Sequence, residues 1–137
     1  MATHSSGEGK CILLCDDEFH ILRAAEFKFR RAGFEVLCAA DGIEALERIE
    51  ERVPDAIVTD CQMPRMNGLE LIARLREDER TRRVPILMLT AKGFELAADE
   101  LCDRFHVAGV VAKPFSPREL LRRVEDLVST ALLNEST

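Results

Sequence analysis

At 137 residues the chain is long enough to bury one sizeable core and short enough to be one domain. An apolar fraction of 47% and a charged fraction of 32% are ordinary for a globular protein, and a net charge of −6 argues against nucleic acid or an anionic membrane as the main partner. No apolar stretch approaches the roughly 18–20 residues that span a bilayer, and the first ten residues lack the apolar core of a signal peptide, so a cytoplasmic location is expected.

Residues 1–9, rich in Gly and Ser, read as a flexible leader. From there to about residue 131, short apolar runs alternate with segments of helical period, the βα signature of a parallel sheet. Strand one is expected at Lys10–Asp16. Helix one follows at about Phe19–Ala32, with Ile21, Ala25, Phe29 and Ala32 on one face and Gly33 as its stop. Strand two is about Phe34–Ala39. Helix two starts at the cap Asp41, with Glu44 three residues on, and is expected to bury Ile43, Leu46 and Ile49. Strand three is Ala56–Thr59. Helix three is capped by Asn67 with Glu70 three on, and packs through Leu71, Ile72 and Leu75. Strand four is Ile86–Leu89. Gly93–Phe105 is expected as helix four despite uneven apolar spacing and no clear cap. Strand five is Val110–Ala112. Helix five opens with Ser116-Pro117-Arg118-Glu119, a capping box with Pro at the first helical position, and carries Leu120, Val124, Leu127 and Val128. Residues 132–137 read as a tail without structure. Right-handed crossovers with helices on both faces give an α/β doubly wound sheet of five parallel strands and five helices. The order 2-1-3-4-5 is taken from known sheets of this kind rather than from these residues.

Polar groups cluster at the ends of the strand-like runs. Asp16-Asp17 follows the first run, Asp60 closes the third, Thr90 the fourth and Lys113 the fifth. In open α/β sheets such ends are where ligands bind. Asp16-Asp17 taken alone would be a helix cap with first-turn acids beside Glu18. Brought near Asp60, those carboxylates repel unless a hard, oxygen-seeking cation such as Mg²⁺ sits among them. Asp60 is the candidate nucleophile, because aspartate carboxylates form covalent phospho-intermediates. Lys113, at the edge of a buried run, needs an anionic partner, and Asp60 or a phosphoryl group supplies one. Thr90 alone is an unremarkable strand residue, but its hydroxyl suits a phosphoryl oxygen. Such a set serves phosphoryl transfer, which depends on positioning and charge neutralisation.

The remaining polar residues add little. Five Cys without a CxxC pair argue against a zinc site or disulfide framework, and most read as small buried hydrophobes, with Cys61 beside the nucleophile the exception. His4, His20 and His106 are scattered along the chain.

Four motifs carry a family resemblance over nearly all of residues 10–130: Leu13-Leu14-Cys15-Asp16-Asp17-Glu18, Ile57–Gly68 with Thr59-Asp60-Cys61-Gln62-Met63-Pro64 at its centre, Ile86-Leu87-Met88-Leu89-Thr90-Ala91, and Val111-Ala112-Lys113-Pro114-Phe115. Together, in order and spacing, they resemble the receiver domain of two-component response regulators, a flavodoxin-like fold. The resemblance implies that Asp60 is the phosphoacceptor and that Asp16 and Asp17 hold Mg²⁺ with Asp60 and the Gln62 backbone carbonyl. It further implies that Thr90 is the switch hydroxyl, Lys113 the phosphate-binding lysine, and the Lys113–Pro114 peptide one that is often cis. Gln62 and Lys92 fall at positions resembling tuners of autodephosphorylation. The implied partners are a sensor histidine kinase or phosphotransfer protein and a downstream protein effector. A homodimer through a second face of helix five is a further possibility.

Two departures stand out. Val110 occupies the place where receivers usually carry an aromatic or His, so any switching is expected to be subtler on that side. The helix-four region also lacks the common receiver pattern. The chain is expected to be a signalling module that assists its own phosphorylation and dephosphorylation rather than an enzyme acting on an external substrate. The alternatives are a pseudo-receiver that binds without phosphorylation and an aspartyl-nucleophile phosphatase. Gln62 weakens the latter, because those enzymes usually have a second Asp two residues after the nucleophile.

Overall fold

The computed structural model describes residues 7, 9–94, 100 and 103–135, with side chains to residue 129. Most of the expected leader and part of the predicted helix four lie outside the described residues. Five parallel strands, β1 (Cys11–Cys15), β2 (Glu35–Ala39), β3 (Ala56–Asp60), β4 (Ile86–Ala91) and β5 (Gly109–Lys113), form one sheet in the order β2-β1-β3-β4-β5. The helices are α1 (Phe19–Arg31), α2 (Gly42–Glu51), α3 (Gly68–Glu77), a short segment α4 described at 103–105, and α5 (Pro117–Glu135).

The alternation of side chains along each strand splits the core in two. Ile12, Leu14, Ala56, Val58, Leu87 and Leu89 face α1 and α5, where they meet Leu22, Ala25, Phe29, Leu120 and Val124. Leu13, Cys15, Ile57, Ile86 and Met88 belong to the opposite cluster, with Ala45 and Ile49 of α2 and Leu71, Ile72 and Leu75 of α3. Strands covered on both faces read as unbroken apolar runs, as β1, β3 and β4 do here.

Several boundaries and faces differ from expectation. Asp60, Thr90 and Lys113 lie within the ladder rather than beyond it, because Asp60 pairs with Leu89, Thr90 with Ala112 and Ala91 with Lys113. Leu22 rather than Ile21 is buried beneath α1, and Ile21 turns toward Phe115 and Leu120. In α2 the sheet-facing position is Ala45, while Ile43 and Leu46 are only half-buried and line a groove toward Leu75 of α3. The last helix runs to Glu135, past the tail predicted from residue 132, because Ala131-Leu132-Leu133 favours helix and no Gly or Pro stops it.

The caps follow their local chemistry. Asp41 accepts the Glu44 amide at 2.8 Å, and Asn67 and Glu70 form a full capping box. The end of α1 is closed by Gly33 at φ 95°. The Gly33 amide donates to Arg30 O, the Phe34 amide donates to Phe29 O, and the two phenyl rings lie 5.6 Å apart.

Candidate functional site

The carboxyl ends of β1, β3, β4 and β5 open onto one cleft of about 540 Å³, lined by Asp17, Glu18, Asp60, Thr90 and Lys113 and walled by Cys61, Gln62, Met63, Pro64, Ala91 and Phe94. The order β1-β3-β4 makes this convergence, since three strands distant in sequence end side by side. Asp60 and Thr90 are buried, as is Asp16 at 2% exposure.

Lys113 Nζ is the centre of the site. It lies 2.9 Å from Asp60 Oδ2, 3.0 Å from Asp16 Oδ2 and 2.8 Å from Glu18 Oε1. Burial alone would lower its pKa, but the hydrogen bonds to Asp60 and Glu18 and the nearby Asp16 carboxylate outweigh that and hold the ammonium charged well above the ordinary lysine range.

Asp16 is the strained member. Its Oδ1 accepts the Glu18 amide at 2.8 Å, which makes it a brace for the start of α1, while Glu18 takes the cap position without capping the helix through its own side chain. Its Oδ2 is buried and, although 3.0 Å from Lys113 Nζ, accepts no well-directed hydrogen bond. Burial, reinforced by the Asp60 charge, pushes its pKa from 3.8 to about 6 against the pull of the Glu18 amide and Lys113.

One ammonium thus contacts three carboxylates, Asp16, Glu18 and Asp60, and Asp17 adds a fourth to the same cleft. Oxygen atoms of Asp16, Asp17 and Asp60 lie within 4.8 Å of one another. An all-oxygen donor set, an excess of negative charge and a buried carboxylate oxygen without a well-directed donor together fit a hard divalent cation.

Backbone sterics fix Asp60. A Cβ on Gly68 would stand 2.1 Å from the Asp60 carbonyl oxygen, so only glycine lets the start of α3 approach the end of β3. The Gly68 amide donates to Cys61 O at 3.0 Å, and the Gln62 amide donates to Asp60 Oδ1 at 3.3 Å. Arg65, at φ 61°, reaches Asp41 at 2.9 Å and ties this loop to α2.

Asp17, Asp60, Gln62, Thr90 and Lys113 line the cleft, Asp16 sits just beneath it against Lys113, the Gln62 backbone meets Asp60 through its amide, and Lys92 is not part of the lining. The Lys113–Pro114 peptide is cis. Val110 packs against the α2–α3 side of the core, as does Phe105. Sequence reading missed Glu18 as a lysine partner and Phe94 as a cleft wall. Glu18 was signalled by its adjacency to Asp16-Asp17, whereas nothing local marked Phe94.

Residues 12–125 match the family described as response regulator receiver domain. The alkaline phosphatase synthesis transcriptional regulatory protein PhoP of Bacillus subtilis is 39% identical over 127 residues, covering 87% of this chain and 48% of that protein. The chain spans about half the length of the curated transcriptional regulators it matches. Among solved structures, the chemotaxis response regulator CheY4 of Vibrio cholerae superposes with a TM-score of 0.79 at 30% identity, covering 86% of this chain and 98% of that one. The receiver domain of the sensor histidine kinase PA1611 of Pseudomonas aeruginosa, which holds a magnesium ion in its active-site cleft, gives 0.78 at 34% identity, with coverage of 88% and 98%.

Proposed function

This chain belongs to the response regulator receiver domain family, and from that premise we propose that residues 10–131 form a phosphoacceptor that takes a phosphoryl group from a histidine kinase or phosphotransfer protein onto Asp60. The observation that carries the reading is the Lys113 ammonium held 2.9 Å from Asp60 Oδ2 within an all-oxygen, carboxylate-rich cleft. In the transfer, an Asp60 carboxylate oxygen attacks phosphorus as the phosphohistidine P–N bond breaks, and the imidazole leaves. Lys113 then exchanges its contact with the carboxylate for one with the phosphoryl oxygens, and the Thr90 hydroxyl donates to another. Asp16, Asp17, Asp60 and the Gln62 carbonyl are the ligands proposed for Mg²⁺, whose charge would offset the phosphoryl oxygens.

The added charge biases the surface carried by α4, β5 and α5, and a protein effector reads it. The chain promotes only its own loading and unloading, so it is a signalling protein and not an enzyme with an external substrate. The proposed setting is the cytoplasm, and among the described residues no helix is long and apolar enough to cross a membrane.

Intact-protein mass spectrometry after incubation with acetyl phosphate and Mg²⁺ tests the reading. One phosphoryl adduct is expected, lost with a chelator and lost in Asp60→Asn. Absence of an adduct while Mg²⁺ binds would overturn phosphoacceptance and leave a pseudo-receiver.

A further inference from the structure

We propose that Phe94 gates the cleft and sets the lifetime of the phosphoryl group on Asp60, an inference that rests on the phosphoacceptor reading. Asp60 is buried at the end of β3, and the cleft that exposes it is walled by Phe94. Hydrolysis needs a water to attack phosphorus, which breaks the P–O bond to Asp60, regenerates the carboxylate and releases inorganic phosphate. That water enters through the same cleft as the phosphodonor.

Phe94 is suited to control the entry. It is the largest side chain of the wall and yet 62% exposed. An aromatic ring left in water is free to move onto the apolar rim made by Met63, Pro64 and Ala91, and it loses exposed area by doing so. Its backbone is tethered to the end of β4, because the Phe94 amide donates to Ala91 O at 3.2 Å, immediately after Thr90. Gly93 allows the turn, with φ at 100° and nothing within 4 Å of an added Cβ, so conformation and not space demands glycine there. When the Thr90 hydroxyl is drawn to the phosphoryl oxygens, the turn that follows is drawn with it and Phe94 closes over the rim. Val110, at the usual aromatic position on β5, packs into the core instead, and Phe94 supplies the aromatic group of the cleft from the turn after β4.

The test compares wild type, Phe94→Leu and Phe94→Ala after loading with acetyl phosphate and Mg²⁺ and removal of the donor. Decay of the adduct is followed by intact mass, with thermal stability and Mg²⁺ affinity measured on the same samples. Phe94→Ala is expected to lose phosphate roughly fivefold faster and Phe94→Leu to stay near wild type, because an apolar cover and not the ring electronics excludes water. Midpoint temperature and Mg²⁺ affinity should remain unchanged, which a merely structural role would not predict. Equal decay in all three proteins overturns the gate alone. No adduct on the wild type overturns the phosphoacceptor reading and the gate with it.

Discussion

At the residue scale, the site concentrates unfavourable charge where the fold would be more stable without it. The Asp16 pKa rises on folding from 3.8 to about 6, so between those values the folded chain keeps a proton that the unfolded chain releases. Stability contributed at this residue therefore falls as pH rises through that window and is regained on acidification. Asp41 and Glu26 behave oppositely. Hydrogen bonds from the Glu44 amide and Arg65, and from Arg23 and Arg30, outweigh burial and hold these carboxyls below their usual range, so their contribution is lost only in stronger acid. In chelator, Asp16→Asn should be more stable than wild type at pH 7, by about 1–2 kcal/mol, the size of an unmet buried acceptor. The gap should shrink as pH falls toward 4. Paired thermal melts across pH 4–7 measure it, and a pH-independent gap would sink the assignment of the charge to Asp16.

The elements show how close approach, more than propensity, places Asp60. Asn67 and Gly68 are neighbours with different duties: one caps α3, the other lets α3 touch β3. Asn67→Ala removes a cap and should cost about 1 kcal/mol while leaving the cleft intact. Gly68→Ala forces its Cβ against the Asp60 carbonyl, so it should cost more, about 1–3 kcal/mol, and also weaken Mg²⁺ binding. Urea unfolding alongside a Mg²⁺ titration separates the two effects. Equal Mg²⁺ affinity in both variants would show that α3 does not position the acid. A different clamp holds the far side of the sheet. The Arg76 guanidinium of α3 donates to the carbonyls of Phe105, at the end of α4, and His106, just after it, and to those of Thr81, Arg82 and Val84 before β4. An arginine near the end of a helix gives no sequence hint of that reach.

For the whole molecule, the stability sacrificed around Asp16 at neutral pH is recoverable by a ligand. Mg²⁺ that binds the folded chain alone should raise its stability by about 2.7 kcal/mol at a hundredfold excess over its dissociation constant. Thermal melts with and without Mg²⁺ should show the rise in wild type and none in the Asp16→Asn, Asp17→Asn double variant; an equal rise in both would place the ion elsewhere. The sequence is legible here for a separate physical reason. Buried parallel strands must be unbroken apolar runs, helices must repeat with their own period, and charges set at the ends of such runs stand out against them. Element order, the doubly wound class and the strand-end residues Asp16, Asp17, Asp60, Thr90 and Lys113 followed from those constraints, while the family motifs added Gln62. What the sequence could not supply was contact across long separations. The pairing of Lys113 with Glu18, the half-covered faces of Ile43 and Leu46, the continuation of α5 to Glu135 and the place of Phe94 on the cleft wall depend on how the helices lean on the sheet. Local periodicity sets which face of an element is apolar; only tertiary packing decides what that face meets.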